Sequence, residues 1–135
     1  MKKFLIEKGY TPHPITDIHE LDQLGGSTVK GTVISTSVVS SAGDSYLDVF
    51  QGIRAKYPDM SIIFATLGRI EDMIKPISHA ISTETDPAKV IVVSPATAGD
   101  PSLGTKNTFM LVHKNDLIEP ERIKLASKMI DAHFG

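Results

Sequence analysis

A chain of 135 residues with 41% apolar and 22% charged residues falls in the ordinary range of a single globular domain. Its 14 Lys and Arg stand against 16 Asp and Glu with no run of one sign, so there is no basic signature of a nucleic-acid binder. Without cysteine, disulfides, thiolate metal sites and cysteine nucleophiles are excluded.

Met1-Lys2-Lys3-Phe4-Leu5-Ile6 holds too short an apolar stretch for a signal peptide or a membrane span, so the expectation is a cytoplasmic protein without a membrane partner. Phe4-Leu5-Ile6 is expected to form a short strand, followed by the proline-rich turn Tyr10-Thr11-Pro12-His13-Pro14. Thr16 then caps a short helix with Ile18 and Leu21 on one side, ended by Gly25-Gly26. Between Thr28 and Val39, apolar residues saturate rather than alternate, as suits a strand covered on both faces.

Tyr46, Leu47, Phe50 and Ile53 recur at helical spacing before Tyr57-Pro58. Met60 to Ala65 reads as a second buried strand. Ile70, Met73, Ile74, Ile77 and Ile81 mark another helix, which Pro76 should kink or divide. Val90 to Val93 and Asn107 to Val112 are the next strands, joined by a long loop from Ser94 to Lys106. Pro120 suits a first helical position, and Ile123, Leu125, Ala126, Met129 and Ile130 supply the last amphipathic face.

Strands alternating with helices predict a single α/β domain over residues 1–135, Rossmann-like and built in three layers. Its sheet should hold four to five mostly parallel strands, with helices on both faces and one late strand as an antiparallel edge. The run Phe109-Met110-Leu111-Val112, if at an edge, would pair with a neighbouring chain, which makes a homo-oligomer the expected state.

Ligands of open α/β sheets bind outside the carboxyl ends of the strands, where helix N-termini attract anions. The loops expected there are rich in hydroxyls and glycine, and the candidate ligand-binding residues are Ser37, Ser40, Ser41, Thr66, Arg69, Thr97 and Lys106. They point to an anionic metabolite or nucleotide, phosphorylated or carboxylate. The alternative is a structural or regulatory subunit that acts through assembly. No cofactor is implied, and no serine or threonine with an adjacent base is visible, so no reaction can be written.

Gly99-Asp100-Pro101-Ser102-Leu103-Gly104-Thr105-Lys106 resembles a phosphate loop with its last two residues exchanged, and a strand rather than a helix follows it. Asp17-Ile18-His19-Glu20-Leu21-Asp22 resembles the Asp-x-His-x-x-Gly element of cobalamin-binding domains. Asp22 replaces its glycine, however, and the later glycine pair of that family is missing, so the chain is not assigned to it. His13, Asp17, His19, Glu20 and Asp22 contain metal-ligating types, yet neighbours one or two apart on a helix diverge, so no metal is expected. His113 ends a strand beside Lys114 and Asp116 and is a candidate base without an identified partner, whereas His133 is expected to be exposed.

Overall fold

The computed structural model describes residues 2–13, 20, 23, 29–36, 46–57, 60–81, 89–105 and 108–134. Of the helix expected after Thr16 only Glu20 and Gln23 are among them, and Asp17, Ile18, His19, Leu21 and Asp22 lie outside. In chain order the elements are α1 (Lys2–Glu7), β1 (Thr32–Ser35), α2 (Tyr46–Lys56), β2 (Ile62–Thr66) and α3 (Ile70–Ile81). Then come β3 (Lys89–Val92), β4 (Thr108–His113), a 3₁₀ turn (Lys114–Leu117) and α4 (Pro120–Phe134).

The four strands form one sheet in the order β1-β2-β4-β3, and every neighbouring pair is parallel. Central strands of such a sheet are covered on both faces and so need apolar residues at every position. Ile62-Ile63-Phe64-Ala65-Thr66 is buried throughout, and β4 is buried from Thr108 to Val112. Alternation sorts these side chains into two cores. On one face Ile63, Ala65, Met110 and Val112 pack with Phe4 of α1 and Ala126, Met129 and Ile130 of α4. On the other, Ile62, Phe64, Phe109 and Leu111 pack with Phe50 and Ile53 of α2 and Ile77 of α3. This is the expected three-layer α/β arrangement, and no described helix is long and apolar enough to cross a membrane.

Three local expectations differ from the structure. Phe4-Leu5-Ile6 belongs to a helix, not a strand. The Tyr10 amide donates to the Leu5 carbonyl and the Gly9 amide to the Ile6 carbonyl, both at 3.0 Å, with Gly9 at φ 91°. That pair of bonds is a Schellman stop, and it satisfies carbonyls that a lone strand would leave open. Pro76 does not divide α3, which runs as one element from Ile70 to Ile81.

The third difference concerns β4, which is neither an edge strand nor antiparallel. A parallel neighbour needs a crossover of about a dozen residues or more, and the chain after Val92 supplies it without a helix. Successive turns step along it, with amide-to-carbonyl bonds from Thr97 to Ser94, Asp100 to Thr97, Leu103 to Asp100 and Thr105 to Ser102. Ala98 and Leu103 press onto the α1/α4 core, and the Gly104 amide donates to His133 Nδ1 at 3.2 Å. Among the described strands the edges are therefore β1 and β3, and the apolar run of β4 is sealed between β2 and β3.

Candidate functional site

The connections leave the sheet on opposite faces at one place. After β2 the chain enters α3 on one face, and after β4 it enters α4 on the other. Because β2 and β4 are neighbours, their carboxyl ends form the topological switch point, where open α/β sheets leave a crevice. Thr66 pairs in register with His113, so the two chains leave the sheet side by side.

His113 holds the two diverging segments together. Its Nδ1 accepts the Asn115 amide at 3.1 Å, so the ring carries its proton on Nε2 and donates it to the Leu67 carbonyl at 3.2 Å. The same residue starts the 3₁₀ turn, since Asp116 Oδ2 accepts the His113 amide at 3.3 Å in a reciprocal capping arrangement. Asp116 is buried, and its other oxygen accepts from Arg122 Nη1 at 3.0 Å. Both carboxylate oxygens are thus committed.

Lys114 reaches from β4 across the end of β2 to β1, where its Nζ donates to Ser35 Oγ at 2.8 Å. No carboxylate among the described residues pairs with this ammonium. The neighbouring cations are engaged: Arg122 with Asp116 and Glu119, Arg69 with Glu71. A half-buried ammonium whose sole described partner is a hydroxyl keeps an outward positive field, stronger than it would be in open water.

The residues expected from sequence have varied fates. Ser37, Ser40, Ser41 and Lys106 lie outside the described residues. Thr66 stands at the switch point but is buried, and its Oγ1 accepts the Gly68 amide at 2.9 Å, which shapes the turn after β2. Thr97 Oγ1 donates to the Val92 carbonyl at 2.6 Å and accepts the Ser94 amide at 3.2 Å, so its hydroxyl holds the crossover to the end of β3. Arg69 is exposed, its Nε 3.7 Å from Glu71.

The tertiary structure adds Ser35 and Lys114, and it gives His113, the candidate base of the sequence, its ring partners Asn115 and Leu67. Each of Ser35, His113 and Lys114 ends or directly follows a strand, and that position at the limit of a buried apolar run was their available signal. His133, expected at the surface, is instead buried, with Nε2 3.0 Å from the Ile62 carbonyl. Its two ring nitrogens join α4, the crossover and the start of β2 at the end of the sheet away from the crevice.

Comparison with models of known families, with curated proteins and with solved structures finds no match.

Proposed function

We propose that this protein binds a small anionic ligand, phosphorylated or carboxylate, at the carboxyl end of its sheet between β2 and β4. The Lys114 ammonium, held over the switch point by Ser35 Oγ without a carboxylate partner among the described residues, carries the reading. It supplies the positive charge, the Ser35 hydroxyl supplies an adjacent polar group, and the His113 bridge fixes the geometry of the two segments. Preorganised groups of this kind lose little freedom when a ligand arrives.

Thermal melts of the full chain against a panel of phosphate and carboxylate compounds test this. A ligand at a hundredfold excess over Kd stabilises by about 2.7 kcal/mol, roughly 10 °C for a domain of this size. The shift should disappear in Lys114→Met. A panel that leaves both proteins unmoved would remove the reading.

A further inference from the structure

Two exposed apolar residues lie in the two chain segments joined by His113, the residue before Lys114. Leu67 is 64% exposed and Ile118 73%, the highest values among the large apolar residues of the described chain. A single exposed leucine is unremarkable on a protein surface. These two lie in the two segments that part at the switch point. Leu67 follows β2, whose last residue Thr66 is in register with His113, and the Leu67 carbonyl accepts from His113 Nε2. Ile118 closes the turn begun at His113, its amide donating to the Asn115 carbonyl at 3.1 Å.

The charge that the described residues bring to this place is small. Both nitrogens of the His113 ring are engaged, Nδ1 by the Asn115 amide and Nε2 by the Leu67 carbonyl. Arg122 and Arg69 are matched by their carboxylates. Among the described residues one ammonium remains, which balances one negative charge and leaves a phosphate dianion in excess. A lysine presents a compact point charge rather than the bidentate fork that selects phosphate geometry.

We propose that the ligand class is a monocarboxylate carrying an apolar group, its carboxylate on Lys114 and Ser35 and its apolar part over Leu67 and Ile118. This rests on the anion-site reading above and narrows it. Covering the two side chains removes apolar surface from water, and at about 25 cal/mol per Å² some 60 Å² is worth roughly tenfold in affinity.

Calorimetric titration of the full chain with 3-phenylpropionate, acetate, 3-phenyl-1-propanol and inorganic phosphate tests the assignment. The expected result is that 3-phenylpropionate binds about tenfold tighter than acetate or phosphate, with the uncharged alcohol far weaker. The double substitution Leu67→Ser and Ile118→Ser, on surface positions, should bring 3-phenylpropionate to the level of acetate while acetate itself is unchanged. Lys114→Met should abolish binding of both acids. Acetate or phosphate binding as tightly as 3-phenylpropionate overturns the apolar assignment and leaves the anion site standing. Binding of none of the three anions overturns both.

Discussion

Lys114 Nζ stands 2.8 Å from Ser35 Oγ although 79 residues separate them, and strand β2 lies between β1, which ends at Ser35, and β4, which Lys114 directly follows. A lysine side chain spans this gap only when extended, so its position is set by the order of the strands. The contact ties the end of β1 to the turn after β4, two strands that do not pair with each other.

Removing the Ser35 hydroxyl should therefore separate binding from stability. Ser35→Ala deletes a partly buried hydrogen bond of about 1 kcal/mol, and the fold should survive it. The ammonium loses its anchor, and anion affinity should fall several-fold. Parallel urea unfolding and ligand titration distinguish the two effects. A loss of stability above about 3 kcal/mol would make Ser35 a structural residue first.

His133 makes stability depend on pH near neutrality. Burial lowers its pKa below the ordinary histidine value, opposed in part by the Ile62 carbonyl. The folded state therefore resists the proton that the unfolded chain accepts, so stability is full above about pH 6.5 and is lost as the pH falls below it. Protonation would also place a second donor against the Gly104 amide. Melting temperature recorded from pH 8 to 5 should decline in the native chain. His133→Gln, which cannot titrate, should give a flatter profile over this window.

A separate acid transition belongs to Asp131. The Lys8 ammonium holds its carboxyl below the ordinary value, aided by the Tyr10 hydroxyl, which donates to it at 2.8 Å. A depressed carboxylate stabilises above its unfolded pKa and ceases to do so as the pH falls through the folded value. Burial and the same carboxylate push the Tyr10 pKa up to about 12. Asp131→Asn should thus leave the neutral-pH slope of His133 intact and remove part of the loss below about pH 4. Unfolding curves at pH 3 to 5 for both proteins check this.

Two glycines with positive φ should respond differently to alanine. Gly9, at φ 91°, has open space around the position of a Cβ, so Gly9→Ala meets only the left-handed backbone penalty of about 1 kcal/mol. Gly104, at φ 82°, would put its Cβ 2.8 Å from the Ala132 carbonyl. Gly104→Ala must also push the crossover away from α4 and strain the bond to His133, so its cost should exceed that of Gly9→Ala by 1 kcal/mol or more. Urea midpoints of the two variants compare them directly.

Gly31 leaves room for an aromatic ring. A Cβ there would collide with the Phe134 ring and come within 3.0 Å of the Ser61 carbonyl. Gly31→Ala should cost about 1–3 kcal/mol. In a Phe134→Ala background much of that cost should vanish, because the ring no longer occupies the place. Additive effects in the double-mutant cycle would refute direct contact as the cause.

The buried strands were legible because central positions of a parallel sheet tolerate little but apolar residues, as in Ile62-Ile63-Phe64-Ala65 and Phe109-Met110-Leu111-Val112. The α2 and α4 segments were legible for the matching reason, a helical period of apolar side chains such as Phe50 and Ile53 or Ala126, Met129 and Ile130. Phe4-Leu5-Ile6 was ambiguous, since three apolar residues fit either period. The deciding signal was Gly9 followed by Tyr10, the residues of the helix stop. Thr66 and Thr97 were correctly placed near strand ends, but hydroxyl-rich sequence does not say whether a hydroxyl faces a ligand or its own backbone.

Local pattern by itself determined the class of fold, because burial on two faces and helical periodicity are properties of neighbouring residues along the chain. Only tertiary structure decided that β4 enters between β2 and β3, that His133 is buried, and that Lys114 meets Ser35 over the switch point. These outcomes depend on which distant segments become neighbours. That choice is set by the closure of two cores and one crossover at once, and no short window of sequence contains it.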